Sequence, residues 1–440
     1  MTGVSPRRRQ EIIDALRRGT VPANGLDQLA VGLEPFQDAL AEELDTVAGG
    51  GSVVKAVRGE YGTGKTFFAR HLTETALRRG FAAAEVQISE TETPLHKLET
   101  VYRRITESLR TVSVPPSAFR SVLDSWLFTL EDDALAADST LEADDDQALE
   151  HAVSQLLDER LSAVSSKTPA FAQALRGYRR AIVNSDAPTA DGLAAWLGGQ
   201  PHVASAAKRT AGIKGDLDHF GAMAFLQGLL LVLRDAGHPG LLLVLDEVET
   251  LQRMRSDVRD KALNALRQLM DEIDAGRFPG LYLVLTGTPA FFEGPSGVSR
   301  LAPLAQRLAT DFTTDARFDN PRAVQIRLSG FTHDKLVEVG MRVRDLYAEG
   351  SPQEDRIRRV VDDAYLADLG SAVAGDLGGK VGIAPRLFLK KLVSDILDRV
   401  DQFQDFDPRE HYRLTILTAD MNNIERNAAA QSADDIDLEI

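Results

Sequence analysis

Hydrophobic residues are spaced in two ways along this chain, and the change from one spacing to the other marks out its elements. The run Ser52-Val53-Val54-Lys55-Ala56-Val57-Arg58 leaves a Gly49-Gly50-Gly51 turn and is rich in β-branched residues, which predicts a short buried strand. Beyond it Phe67, Phe68, His71, Leu72, Ala76 and Leu77 recur at helical spacing until Gly80, which reads as a C-cap. The alternating segment 83–89 predicts a second strand, followed by a helix from about Pro94 to Leu109. Strand-like runs return at 241–247, 281–285 and 323–328, and the pattern is helical from there to about Val400. Ahead of the first strand, residues 7 to 48 predict two helices, one carrying Ile12, Ile13 and Leu16 and the other Phe36, Leu40 and Leu44. Strands alternating with helices define an α/β fold with a parallel sheet flanked by helices.

The alternation lapses between residues 112 and 235, a stretch of helices and loops with acidic interruptions such as Glu142-Ala143-Asp144-Asp145-Asp146. Within it Ser185-Asp186-Ala187-Pro188 and Leu197-Gly198-Gly199 read as connections, and Trp126 and Trp196 as core residues. The expected organisation is an N-terminal helical segment (1–48), a first part of the α/β core (49–111), a helical insertion (112–235), a second part of the core (236–330), a helical lid (331–403) and a C-terminal segment (404–440). Its tail, from about Asn427, is acidic and expected to be disordered.

Composition narrows the function classes. A chain of 440 residues suggests two or three domains, and the lack of cysteine excludes disulfide frameworks, thiolate nucleophiles and cysteine-ligated zinc. No apolar run approaches membrane-spanning length, and Arg7-Arg8-Arg9 is followed by Gln10-Glu11 where an export signal needs apolar residues, so a cytoplasmic protein is expected. The formal charge of −16 repels nucleic acid over the molecule as a whole. Any DNA contact has to be local, as at Arg7-Arg8-Arg9 or Arg253-Met254-Arg255. The eight histidines lack metal-ligand spacing, so metal is expected only with a nucleotide.

The candidate chemistry lies at the strand ends. Gly59-Glu60-Tyr61-Gly62-Thr63-Gly64-Lys65-Thr66 follows the first strand, opens a helix and fits G-x-x-x-x-G-K-[ST], a phosphate-cradling P-loop. Lys65 is expected to reach the β- and γ-phosphates, and Thr66 to hold Mg²⁺. The run Leu241-Leu242-Leu243-Val244-Leu245 is apolar throughout, as a parallel strand buried on both faces must be, and ends in Asp246-Glu247. Asp246 is expected to orient the metal shell and Glu247 to polarise the attacking water. The strand at 281–285 ends in Thr286-Gly287-Thr288-Pro289, where Thr286, or secondarily Thr288, can hydrogen-bond the lytic water or the γ-phosphate.

Strand, P-loop, Asp-Glu strand, threonine-tipped strand, arginine-bearing helix and small helical lid, in that order, resemble the AAA+ ATPases of the origin-recognition and Cdc-type branch. The segments 9–22, 57–70 and 85–96 are similar to the BrxD family of ATP-binding proteins of bacteriophage-exclusion systems. The resemblance covers most of 7–110 and 240–400, and is weakest in the insertion and tail. It implies ATP with Mg²⁺, hydrolysis, a homo-oligomer, and anti-phage defence alongside partners that include a helicase and possible action on DNA. It also implies that Val31 and Gly32 lie on the adenine side, that Arg307 is offered to a neighbouring subunit, and that Arg386 is a lid arginine facing the γ-phosphate. Arg300, Arg317 and Arg322 compete with Arg307 for that role. The alternative reading is a regulatory module in which ATP locks one conformation and the insertion recruits partner proteins.

Overall fold

The computed structural model describes residues 4–138, 146–162, 168–376 and 385–414. The acidic stretch at 142–145, the segment Gly382-Ile383-Ala384 and the tail beyond 414 lie outside these. The chain divides into two compact units, one formed by 1–40, 57–74 and 311–440, the other by 41–56 and 75–310. Among the described residues no helix is long and apolar enough to cross a membrane.

In chain order the elements that build the core are α1 (Pro6–Arg17), α2 (Glu34–Ala48), β1 (Val53–Arg58), α3 (Lys65–Arg78), β2 (Ala82–Gln87) and α4 (Leu98–Ser108). Six helices follow: α5 (Phe119–Ala137), α6 (Asp146–Arg160), α7 (Pro169–Val183), α8 (Ala187–Leu197), α9 (Ser205–Thr210) and α10 (His219–Asp235). The core resumes with β3 (Leu241–Asp246), α11 (Ser256–Asp274), β4 (Leu281–Gly287), α12 (Pro289–Glu293), α13 (Ala302–Arg307) and β5 (Gln325–Arg327). The C-terminal helices are α14 (His333–Ala348), α15 (Glu354–Val360), α16 (Asp363–Asp376) and α17 (Pro385–Lys391).

The five strands form one sheet in the order β2-β3-β4-β1-β5. β3 runs parallel to both neighbours, with Leu241 opposite Ala82 on one side and Leu281 on the other, and Asp246 opposite Gln87. Every residue of β3 and β4 is buried. Such strands can be apolar from end to end because helices cover both faces, and their polar residues are confined to the tips.

In the unit formed by 41–56 and 75–310, Phe225 of α10 is ringed edge-on by Tyr102, Phe171 and Trp196, with centroids 5.0–5.6 Å away. Trp126 is wholly buried and its indole donates to Asp235, while the Trp196 indole donates to the Gly215 carbonyl at 3.1 Å. Both tryptophans are therefore core residues with a satisfied N–H. The expected connections are shorter than the sequence suggested: Asp186 caps α8 and Ala187-Pro188 form its first turn, where proline is favoured, and Leu197 closes the same helix.

A polar cluster lies inside this unit. Lys55 on β1 is 1% exposed and pairs with Glu43 of α2, to which the Tyr282 hydroxyl of β4 also donates. Desolvation and the Glu43 carboxylate push the Tyr282 phenol well above its usual range, so it stays a donor. Such a pair contributes little net stability, but breaking one partner strands a buried charge. Glu43→Ala should therefore destabilise the protein by about 3–5 kcal/mol in urea melts, whereas the apolar double replacement Lys55→Met with Glu43→Leu should recover most of that loss.

The other unit has its own core. Ile12, Ile13 and Leu16 of α1 join Leu336 and Val343 of α14, Leu366 of α16 and Phe388 of α17 in one buried cluster. The N-terminal helix thus packs with the C-terminal helices, and the Arg17 guanidinium grips Asp398 through two hydrogen bonds of 2.7 and 2.8 Å.

Candidate nucleotide site

The P-loop connects β1 to α3. Gly62 and Gly64 have φ of 80° and 91°, values that side chains rarely adopt. A Cβ on Gly59 would fall 2.3 Å from the Thr63 hydroxyl oxygen, which itself donates to the Glu60 carbonyl at 2.8 Å. Three of the motif's residues are therefore dictated by the path of the loop. Lys65 opens α3, is 8% exposed, and donates to the carbonyls of Gly59 at 2.9 Å and Glu60 at 3.3 Å. The Tyr61 ring lies 4.9 Å from its ammonium, a cation–π contact. Thr66 follows in the first turn. A buried ammonium and a hydroxyl at the start of a helix, approached by a glycine-permitted turn, form a donor set that fits a nucleoside triphosphate and its divalent cation.

α3 also holds the segment that precedes α2. The Glu74 carboxylate, 7% exposed, accepts from the backbone N–H groups of Gly25 and Leu26, both at 2.9 Å, and Arg70 donates to the Val21 carbonyl at 3.3 Å. At the far end of this strap Arg342 of α14 donates to the Ala30 carbonyl. Val31 is buried among the C-terminal helices, and Gly32, with φ of 74°, carries the Lys335 ammonium within 2.6 Å of where a Cβ would stand. The Arg386 guanidinium lies against Gly19, 3.2 Å from the position of its absent Cβ. The pinning role of Glu74 was not visible in sequence, where it is one more helical glutamate.

In the other unit the strand tips are tied together. Asp246 is 6% exposed, and its carboxylate accepts from the Glu247 backbone N–H at 3.0 Å and from the Thr286 hydroxyl. The Glu247 N–H also reaches the Thr286 oxygen at 3.2 Å. Glu247 occupies the left-handed region, with φ 59° and ψ 41°, a conformation disfavoured for glutamate and found where surrounding contacts enforce it. Its carboxylate accepts from the Gln87 amide at 2.8 Å. Gln87 was not singled out in sequence, and the parallel register that sets it opposite Asp246 is the feature that reveals it. The two threonines separate cleanly: Thr286 is wholly buried against Asp246, while Thr288 caps α12 by accepting from the Phe291 N–H at 3.4 Å.

The four arginines that compete for the role toward a neighbouring subunit are engaged within their own units or lie in a loop. Arg307 pairs with Asp271 and, at 3.3 Å, with Asp274, both on α11. Arg300 forks onto Asp260 of the same helix. Arg317, 73% exposed, stacks 4.7 Å from the exposed Phe318 ring beside Asp315. Arg322 lies in the loop before β5.

A five-stranded sheet flanked by helices, in which β3 runs parallel to both neighbours, with a P-loop leaving β1 and an acidic tip on β3, defines the fold of an α/β P-loop NTPase. Residues 4–416 match the family BREX system ATP-binding protein BrxC/D, and the chain belongs to it. This is the defence family that residues 9–22, 57–70 and 85–96 resemble. No curated protein matches the chain in sequence. Among solved structures it is similar to the ORC2 protein of Aeropyrum pernix, described in ADPNP-ADP complexes, at 12% identity and a TM-score of 0.32 over 86% of this chain and 70% of that one.

The division between the two threonines is open to measurement. Thr286→Val strips the hydroxyl from a buried carboxylate and should cost about 1–3 kcal/mol in urea melts. Thr288→Val removes only a helix cap, so the same melts should show a loss of about 1 kcal/mol.

Proposed function

We propose that the protein hydrolyses ATP and couples that cycle to DNA or a DNA-bound assembly of the defence system. The observation that carries the reading is the loop from Gly59 to Thr66, in which glycine geometry, the buried Lys65 and the hydroxyl of Thr66 meet the needs of a triphosphate. Lys65 binds the β- and γ-phosphates, and Thr66 and Asp246 take the metal and its water shell. Mg²⁺, when bound with ATP, supplies charge neutralisation at the phosphates. Glu247 polarises the attacking water, and Thr286 fixes the Asp246 carboxylate in one orientation. Val31 and Gly32 line the adenine side, and Arg386 acts from the C-terminal helices on the same nucleotide.

Lys65→Ala should abolish ATP binding in calorimetry, because the ammonium is the loop's partner for phosphate. Glu247→Gln should bind ATP as the parent does while steady-state phosphate release falls by orders of magnitude. Parent-like turnover in Glu247→Gln would sink the assignment of the base. If the parent itself binds ATP without turnover, with or without DNA, the protein is instead a regulatory module locked by nucleotide. The engagement of Arg307 by Asp271 and Asp274 within one chain favours that second reading for the isolated subunit.

Assembly resolves the tension between them. A head-to-tail contact offers an arginine to a neighbour's ATP and generates rings or filaments. Arg307 takes that role once its contacts with α11 are exchanged for the neighbour's phosphate. Arg307→Ala should bind ATP normally and hydrolyse it poorly, since an arginine finger acts on charge that develops during transfer. Mixed with Lys65→Ala subunits, it should regain part of its turnover. Hetero-assemblies that form yet recover nothing would pass the role to Arg300, Arg317 or Arg322, tested in the same mixture.

A further inference from the structure

The two basic clusters that the sequence offers for nucleic acid are largely spoken for. Arg7 and Arg9 pair with Glu11 and Glu349, Arg8 lies 3.8 Å from Glu74, and Arg255 lies 3.8 Å from Asp257. A different surface gathers the required chemistry, and it lies wholly within the unit formed by 41–56 and 75–310.

A groove of about 270 Å³ runs between α4, α10 and α11. Phe220, in the first turn of α10, stands 88% exposed at its edge, braced by the His219 ring at 5.5 Å. Leu98 and Met223 give the groove an apolar floor, and Gln227 and Gln268 add side-chain amides. Two lysines border it, with Asp218 at the start of α10 and Glu99 on α4 as nearby carboxylates. Lys97 precedes Leu98, and Lys261 lies on the exposed stripe of α11 that continues through Asn264 to Gln268. The His96 imidazole is held toward its neutral form, first by desolvation and then by Lys97 and Lys261, with His219 adding to the effect and Glu99 opposing it. The remaining charges in the groove, Glu272 and Arg277, neutralise one another in a two-pronged ion pair.

An exposed aromatic ring that contacts little of its own protein is available as a platform for a base. Lysines a few residues away meet the phosphates, and amides between them can address base edges. We propose that this groove binds single-stranded nucleic acid, with a base stacked on Phe220 and the backbone held by Lys97 and Lys261. The proposal rests on the DNA-directed reading above and gives it a location. In a chain of formal charge −16, a polyanion needs such a local exception to bind at all.

The test is fluorescence anisotropy of labelled oligo(dT) with the full-length protein and ATP, over a salt series. The parent should bind, and Phe220→Ala should weaken binding on the order of 5- to 100-fold, with Phe220→Trp restoring it. Lys97→Glu with Lys261→Glu should weaken binding and flatten the slope of log K against log salt by about 1.4, as loss of two phosphate contacts on a single strand requires. Phe128→Ala, at another exposed phenylalanine on α5, should change nothing. Because all these positions are exposed, unaltered melting temperatures should accompany the effects. A parent that binds oligo(dT) with no sensitivity to Phe220 or the lysine pair overturns the groove and leaves the DNA reading standing. A parent that binds ATP but no oligonucleotide at any salt overturns both. Displacement of the oligonucleotide by an acidic peptide at lower concentration than by unlabelled oligo(dT) would make the surface a protein dock and overturn the proposal.

Discussion

The burial of β3 on both faces is the constraint on which the rest depends. A strand with every side chain out of water can carry no charge along its length, so chemistry has to wait for its last residue. Asp246 stands there at 6% exposure, and a carboxylate at that depth needs donors. It finds them in the Thr286 hydroxyl of the adjacent strand and in the N–H of the next residue. Satisfying both requires the chain to turn at once, which is why Glu247 adopts a left-handed conformation and presents its carboxylate beside β2, where Gln87 meets it. The sheet's hydrophobicity and the site's polarity are thus one arrangement seen at two points along a strand.

The P-loop obeys a different logic. Its glycines answer steric demands at Gly59, Gly62 and Gly64, and the reward is a lysine held in place by the loop's own carbonyls and by an aromatic ring. That demand is local and written in consecutive residues. The loop, the buried strands and the helices between β2 and β3 were accordingly legible in the sequence, because each depends on a short pattern of glycine, apolar or periodic positions. The family was legible for the same reason.

What could not be read depends on distant partners. Lys55 sits in a run that reads as a strand, yet nothing in that run says its ammonium is buried against Glu43 and in reach of the Tyr282 hydroxyl's partner. The sequence ranks Thr286 ahead of Thr288 by its place at the strand tip, but that one meets Asp246 and the other caps a helix follows only from the fold. The resemblance offers Arg307 to a neighbouring subunit, and nothing in the sequence says that within one chain it rests on Asp271 and Asp274, some thirty positions earlier. Hydrophobic periodicity places residues on a face but does not say which residue of another element shares it.

Glu74 lies nine positions beyond Lys65 on one uninterrupted helix, so the two are about 13.5 Å apart along a rigid rod. One end of that rod is Lys65, held by the carbonyls of its own loop, and the other grips the backbone at Gly25 and Leu26. The gripped strap continues to Ala30, where α14 takes hold through Arg342. A short axial slide or roll of α3 therefore cannot stay local: it pulls on a tether whose far end is fastened to the C-terminal helices. The strap thereby joins the helix that opens with Lys65 to the C-terminal helices, with the Glu74 carboxylate and the Arg70 guanidinium as its anchors on α3.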